Sequence, residues 1–178
     1  MKPITEMSQA ELGAYVQSHL RDHGLNVVLS GGAAVSIYSS NKYVSLDLDM
    51  IRSYSASMRS IRDAMGRIGF TESGSRYFKH PDCSHYVEFP PGPLTVGGEP
   101  VKDIHEIVYS TGILKVISPT DCVKDRLAAY YHFSDRQGLA QAIMVARDND
   151  VNLDEVKRWS KVEGMLSQFD QFISELGS

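Results

Sequence analysis

Two aspartates separated by a single residue, Asp47 and Asp49, stand in a segment of large apolar residues with strand character. Because side chains alternate between the two faces of a strand, both carboxylates are expected on one face, with Leu46, Leu48 and Met50 directed into a core. Neighbouring carboxylates repel each other unless a cation lies between them. Mg²⁺ and Mn²⁺ bind oxygen ligands, so the pair predicts a divalent-cation site. A solvated strand face is the alternative for this pattern taken alone.

A glycine pair lies upstream of the aspartates. Gly31 and Gly32 follow a short apolar run, residues 27–29, and precede small residues with a helical pattern. A glycine turn between a strand and a helix presents backbone N–H groups to an anion such as phosphate. A phosphate site and a two-carboxylate cation site that lie close together would form the two halves of a nucleoside-triphosphate (NTP) site.

This combination of glycines and aspartates resembles the signature of the polymerase-β-type nucleotidyltransferase superfamily. The longer string, residues 29–35 together with residues 43–50, is similar to the small prokaryotic AbiE-type toxin nucleotidyltransferases, and the resemblance covers about residues 25–145. It implies Mg²⁺- or Mn²⁺-dependent transfer of a nucleoside monophosphate from an NTP to a hydroxyl group of RNA or protein. It also implies a toxin with a cognate antitoxin as a partner.

The resemblance implies a third carboxylate on a strand next to the two aspartates. Glu88 is the only acid of its region with strand-forming residues on both sides, so it is expected to complete a metal site and to act as general base. An exposed strand acid is the alternative for this residue. The predicted catalytic and metal-binding residues are Asp47, Asp49 and Glu88.

The resemblance also implies residues that hold the nucleotide. Many relatives carry serine where this chain has Gly32, so the hydroxyl of Ser30 or Ser36 is expected to take its place. A helix after the sheet lines the cleft in AbiE-like relatives, and Lys124 is expected to neutralise phosphate charge there. The order Lys124-Asp125 departs from the expected Asp-Lys pair, and an exposed ion pair is the alternative. The predicted nucleotide-binding residues are Ser30, Gly31, Gly32, Ser36 and Lys124.

Apolar periodicity and capping residues predict the elements that must position these side chains. Helix caps are expected at Ser8 with Glu11, Ser118, residues 134–136 and Asn152, and residues 75–79 are expected to pair with residues 85–89. Helices are expected over 9–23, 33–39, 55–69, from 118 onwards, 136–147, 153–162 and 165–176. Strands are expected over 26–29, 43–51, 75–79, 85–89, 94–96, 104–108 and 113–117. Strands alternating with helices predict an α/β (α+β) fold with a small mixed sheet. Residues 1–117 are expected to form the nucleotidyltransferase-like core, with a helical part, residues 118–178, packed on it.

Composition limits the class of protein. The 178 residues carry a net charge of −4, which argues against a wholly basic, nucleic-acid-binding surface. Residues 51–80 nevertheless hold six basic and two acidic side chains, either for a phosphate-bearing substrate or as a solvated helix face. No apolar run is long enough to span a membrane, so no membrane partner and a cytoplasmic location are expected. Cys83 and Cys122 are expected to be reduced thiols, and the spacing of His80, Cys83 and His85 fits no common zinc site.

Three hypotheses follow from these residues. The first is an active nucleotidyltransferase. The second is a catalytically inactive module of the same fold that binds nucleotide without releasing pyrophosphate. The third is a protein-interaction module, such as an antitoxin partner, whose carboxylates are only solvated and whose stability does not respond to metal.

Overall fold

A mixed seven-stranded sheet forms the centre of the computed structural model, which describes residues 2–74 and 76–178. Within that part of the chain the strands are β1 Val27–Ser30, β2 Asp47–Arg52, β3 Thr71–Ser73, β4 Tyr77–Lys79, β5 Tyr86–Glu88, β6 Thr95–Val96, β7 Glu99–Pro100, β8 Ile104–Tyr109 and β9 Gly112–Ile117. The helices are α1 Gln9–Asp22, α2 Gly31–Tyr38, α3 Met58–Arg67, α4 Pro119–Phe133, α5 Arg136–Asp148, α6 Leu153–Val162 and α7 Leu166–Leu176, after a short 3-10 turn, Ile4–Glu6. None of these helices has the length and apolar character that a membrane span requires.

The sheet order is β3-β4-β5-β2-β1-β9-β8, and β6 and β7 form a separate hairpin. Strand β1 pairs antiparallel with β2 and parallel with β9, while β2 pairs parallel with β5. The predicted α/β fold with a mixed sheet is therefore confirmed. The two segments predicted as paired strands, β4 and β5, are antiparallel neighbours.

One face of the sheet is covered by helix α1. Gly13 of α1 lies against Leu48 and Met50 of β2, both fully buried, and Leu29 of β1 is paired with Met50. Because side chains alternate along a strand, Asp47 and Asp49 lie on the face of β2 opposite to Leu48 and Met50. The packing of α1 thus decides which face carries the carboxylates.

Several predicted caps are confirmed. Ser8 and Glu11 form a reciprocal capping box at the start of α1. Ser118 accepts a hydrogen bond from the Asp121 amide at the start of α4, and Asp135 and Asn152 cap α5 and α6. These caps fix the boundaries of the helices that follow the sheet.

The boundaries of β2 and α2 differ from the prediction. Strand β2 begins at Asp47 rather than at residue 43, because residues 43–46 form a loop in which the Ser45 carbonyl accepts from the Gln9 side chain. Gln9 is the first residue of α1, so no turn of α1 lies over Leu46, which is 59% exposed. The expectation that Leu46 points into the core is wrong. Helix α2 begins at Gly31 itself, and Ser75, the predicted start of β4, lies outside the described residues.

Candidate active site

Asp47 and Asp49 lie on the same face of β2 and are both half-buried. The residue between them, Leu48, is fully buried on the opposite face. Ser30, the last residue of β1, is paired directly with Asp49, so it lies beside the Asp49 carboxylate on the same face. The alternation expected for the two aspartates is therefore present.

Glu88 is the neighbour of Asp49 across the sheet. Strands β2 and β5 pair in parallel, with Asp49 opposite Glu88 and Asp47 opposite Tyr86. Residues at matching positions of adjacent strands point to the same face, so β5 adds the Glu88 carboxylate to the pair on β2. The structure brings the three predicted acids together at one place on the sheet, although they are as many as 41 positions apart in sequence, from residue 47 to residue 88.

The electrostatics of Asp49 reflect this clustering. Burial, followed by the negative charges of Glu88 and Asp47, raises the pKa of the Asp49 carboxyl to about 6. The Arg126 guanidinium acts in the opposite direction with a smaller effect. Like charges in a partly dry site are the situation that a bound cation relieves.

We expect the Asp49→Asn substitution to change how the free energy of unfolding depends on pH in metal-free buffer. A carboxyl whose pKa is higher in the folded than in the unfolded chain favours folding below its unfolded pKa and loses that contribution as pH rises through its folded pKa, here about 6. Asp49→Asn should therefore match the wild type near pH 4 and exceed its free energy of unfolding by about 1–3 kcal/mol at pH 8.

Urea unfolding followed by fluorescence of Trp159, the single and fully buried tryptophan, measures this difference. The control is Asp63→Asn, at an exposed position, which should have the same free energy of unfolding as the wild type at each pH. If Asp49→Asn is no more stable than the wild type at pH 8, the raised pKa of the Asp49 carboxyl is contradicted.

Gly31 allows the Asp49 carboxylate to lie against the N-terminus of α2. Its φ is +67°, a left-handed conformation that favours glycine, and a Cβ at this position would overlap Asp49 Oδ2. Ser30 precedes the helix in extended conformation, and its side chain does not cap it. The first N–H groups of α2 thus lack a side-chain cap next to the carboxylates, which suits an anion bound there through a shared cation.

The other predicted phosphate ligands differ in position. Gly32 is packed against the following loop, because a Cβ on it would lie 3.0 Å from Ser45 Oγ. Ser36 is fully buried, donates to the Gly32 carbonyl and accepts from the Ser45 amide. These bonds use the Ser36 hydroxyl to hold the loop before β2. Contact of Ser36 or Gly32 with phosphate stays a prediction. Ser30 and Gly31 remain beside the carboxylates.

Lys124 lies in a different group of charges. Its ammonium is 2.8 Å from Asp121 and 3.3 Å from Glu155, and its side chain is 8% exposed. These residues line a cavity of about 600 Å³ between α4, α6 and the start of β8, together with Ser118 and Asn152. The structure therefore gives Lys124 two carboxylate partners outside the Asp47–Asp49 cluster, and its contact with nucleotide stays a prediction.

Lys124→Met is expected to lower the free energy of unfolding by about 3 kcal/mol, because it leaves the buried Asp121 carboxylate without its cationic partner. Lys42→Met is the matched control, since Lys42 forms an exposed pair with Asp148 and its loss should cost less than about 1 kcal/mol. Urea unfolding of both variants checks this, and equal losses would contradict the structural role of Lys124.

The basic residue of α4 that acts on Asp49 is Arg126, which was not among the residues predicted from the sequence. Arg126 binds Asp125 through Nε at 3.1 Å and also contacts Gln141 of α5. The charges of Arg126 and Asp125 both affect the pKa of Asp49, whereas Lys124 lies two positions away on α4 and points elsewhere. The signal was present in the sequence, because Asp125-Arg126 has the acid-then-base order that the resemblance leads one to expect.

A second arginine, Arg76, also contacts the cluster and was not predicted. Its Nε donates to Glu88 Oε1 at 2.6 Å, and its Nη2 lies 2.6 Å from the same oxygen. Among residues 2–74 and 76–178, no three His, Cys, Asp or Glu side chains are arranged as a ready-made metal site. The carboxylates thus share a face, while one oxygen of Glu88 is bound to an arginine.

Three solved structures are similar to this chain in fold. The crystal structure of ANT(2")-Ia in complex with adenylyl-2"-tobramycin has a TM-score of 0.55 and 11% identity, covering 93% of this chain and 98% of that chain. An antigenic nucleotidyltransferase-like protein from Paracoccidioides brasiliensis has a TM-score of 0.56 and 13% identity, covering 78% and 74%. The lincosamide antibiotic adenylyltransferase LnuA, with lincomycin bound, has a TM-score of 0.50 and 17% identity, covering 78% and 98%.

These similarities show that the chain has the nucleotidyltransferase fold along most of its length. Neither a protein-family model nor a curated protein sequence matches it. The fold inferred from the glycine pair and the aspartates is confirmed, whereas the likeness to the AbiE-type toxins stays a prediction.

Proposed function

We propose that this chain is a metal-dependent nucleotidyltransferase that moves a nucleoside monophosphate from an NTP to a hydroxyl acceptor. The observation that carries the proposal is the position of Asp47, Asp49 and Glu88 on one face of the sheet, beside the glycine start of α2. The similarity in fold to two adenylyltransferase structures supports it.

The donor set fits a divalent cation. Three carboxylate-bearing residues share a face. Burial raises the pKa of Asp49, and the charges of Glu88 and Asp47 raise it as well, a repulsion that a cation would relieve. Asp47, Asp49 and the free oxygen of Glu88 would hold Mg²⁺ or Mn²⁺. When bound, the cation supplies charge neutralisation at the phosphates and lowers the pKa of a bound hydroxyl.

The chain's own residues have separate tasks in this reaction. The acceptor oxygen bonds to the α-phosphorus while the bond from that phosphorus to the bridging oxygen breaks, releasing pyrophosphate. Glu88 accepts the acceptor's proton on its free oxygen, since Arg76 uses only Oε1. The first amides of α2 bind phosphate oxygens, with Gly31 allowing their close approach to the carboxylates. Arg126 adds positive charge from the helical side.

The test uses each of the four NTPs with a labelled α-phosphate, in the presence of Mg²⁺ or Mn²⁺, and measures transfer of the label to an acceptor. Total RNA, cell protein and hydroxyl-bearing antibiotics serve as separate acceptor pools. We expect one pool to become labelled with equimolar pyrophosphate release, and chelation of the metal to stop both. NTP binding without pyrophosphate release would favour the inactive module.

The acceptor class is decided by the same experiment. One neighbour is in complex with adenylyl-2"-tobramycin and another with lincomycin, so a small-molecule hydroxyl is included beside RNA and protein. A toxin role with a cognate antitoxin rests on the sequence resemblance and predicts that labelling of RNA or protein stops growth of cells that produce the chain. The non-catalytic interaction module predicts instead no change in melting temperature on adding metal.

A further inference from the structure

Arg76 binds Glu88 in an asymmetric way. Both guanidinium contacts, from Nε and Nη2, go to Oε1 at 2.6 Å. Glu88 is 9% exposed, whereas the Arg76 side chain is 61% exposed. The pair therefore fixes one carboxylate oxygen of a nearly buried acid and leaves the other oxygen unused by the arginine.

The neighbouring strand holds the guanidinium in place. Arg76 directly precedes β4, whose first residue Tyr77 is paired with Glu88 across the β4–β5 ladder. The Arg76 guanidinium carbon lies 5.5 Å from the centre of the Tyr77 ring, a cation–π distance. Tyr77 in turn packs on Tyr86, with ring centres 5.8 Å apart. An aromatic ring and a strand register thus orient the arginine that orients Glu88.

The charge of Arg76 has two opposite effects on the cluster. It reduces repulsion among Glu88, Asp49 and Asp47, and it repels a divalent cation that approaches them. An arginine that only stabilised the fold would change neither the affinity for a cation nor turnover. The charge of Arg76 is read in metal binding, and its hold on Glu88 is read in turnover.

We propose that Arg76 is a positioning residue that holds Glu88 by Oε1 so that Oε2 faces the acceptor hydroxyl and the cation. This inference deepens the proposed function and rests on the role of Glu88 in it. It predicts that removing the guanidinium makes the site bind a cation more tightly while the reaction becomes slower.

The experiment compares the wild type with Arg76→Gln and Arg76→Lys. We expect Arg76→Gln to lower kcat by about 10–100-fold through misplacement of Glu88, with the KM for NTP within about 3-fold of the wild type. Its Mn²⁺ affinity, from calorimetry without nucleotide, should rise by about 3–10-fold, a range that allows for solvent screening of an exposed arginine. Arg76→Lys keeps the charge without the fork and should recover the Mn²⁺ affinity but only part of kcat.

Two further variants isolate the Arg76–Glu88 contact. Arg62→Gln is the matched control, because Arg62 is about as exposed as Arg76 and binds Glu72 by Nε at 2.7 Å and Nη2 at 3.2 Å. It should leave kcat and Mn²⁺ affinity unchanged. In a Glu88→Gln background, Arg76→Gln should no longer lower the remaining kcat, because Arg76 positions Glu88. Its effect on Mn²⁺ affinity should remain, because the charge of Arg76 acts on the cation directly.

The outcomes separate this inference from the proposed function. A wild type that binds Mn²⁺ but transfers no nucleotide ends the proposed activity, while tighter Mn²⁺ binding by Arg76→Gln would still support the place of Arg76 beside a cation site. Equal or weaker Mn²⁺ binding by folded Arg76→Gln overturns the inference, and so does an unchanged kcat. A wild type that binds no Mn²⁺ overturns both.

Discussion

Replacing Asp47 and Asp49 together with asparagine is expected to lower nucleotidyl transfer by about 1,000-fold or more, because it removes two of the three carboxylates available to a cation. Mn²⁺ binding should be lost in the same variant. The fold should survive, since both side chains are only half-buried on the open face of β2 and the change relieves like-charge repulsion. Calorimetric titration with Mn²⁺ and the labelled-NTP assay measure the two losses.

The control removes the same charge from elsewhere on the surface. Asp63 of α3 and Asp170 of α7 are both exposed, so Asp63→Asn with Asp170→Asn changes the net charge equally without touching the sheet face. This variant should keep wild-type transfer and Mn²⁺ affinity. If the variant of Asp47 and Asp49 still binds Mn²⁺ and NTP like the wild type, the site lies elsewhere.

Gly31→Ala is expected to lower transfer by about 100-fold or more through displacement of Asp49 from its position at the start of α2. Two separate costs arise: residue 31 has a φ of +67°, and the added Cβ would overlap Asp49 Oδ2. The positive φ alone costs about 1–2 kcal/mol of stability. The contact with Asp49 is the part that reaches the chemistry.

Gly24→Ala separates these costs. Gly24 has a φ of +74°, and a Cβ there would meet nothing within 4 Å, so only the backbone penalty applies. Gly24→Ala should lose about 1–2 kcal/mol of stability and keep full transfer. The test compares kcat and the urea midpoint of Gly31→Ala with those of Gly24→Ala. Equal transfer by the two variants would contradict the displacement of Asp49 by a Cβ at residue 31.

The elements that local chemistry specifies were predictable from the sequence. The capping box at Ser8, the Ser118-Pro119 start of α4 and the Asn152 cap of α6 each follow from side chains that bond to nearby amides. The carboxylate face of β2 follows from strand alternation alone. The predicted place of Glu88 beside Asp49 depended on the family resemblance, because strand register across 39 positions has no local signal.

Other features depend on tertiary contacts that sequence patterns do not encode. Strand β7 consists of only Glu99 and Pro100, which is too short to show apolar alternation. Leu46 has the right residue type for a core but lies beyond the part of β2 that α1 covers. Arg76 and Arg126 became visible as neighbours of the acids only when strand pairing and helix packing were known.

The parallel pairing of β2 with β5 links ligand binding to completion of folding. A parallel pair needs a crossover, and here the chain passes through α3 and the β3–β4 hairpin before Glu88 reaches Asp49. Contacts between such distant segments form late, since loop closure precedes them. Any ligand held by all three acids therefore recognises only the native chain. By mass action it protects that chain against heat, proteases and denaturants, and the stabilisation grows with the logarithm of the ligand concentration above its Kd.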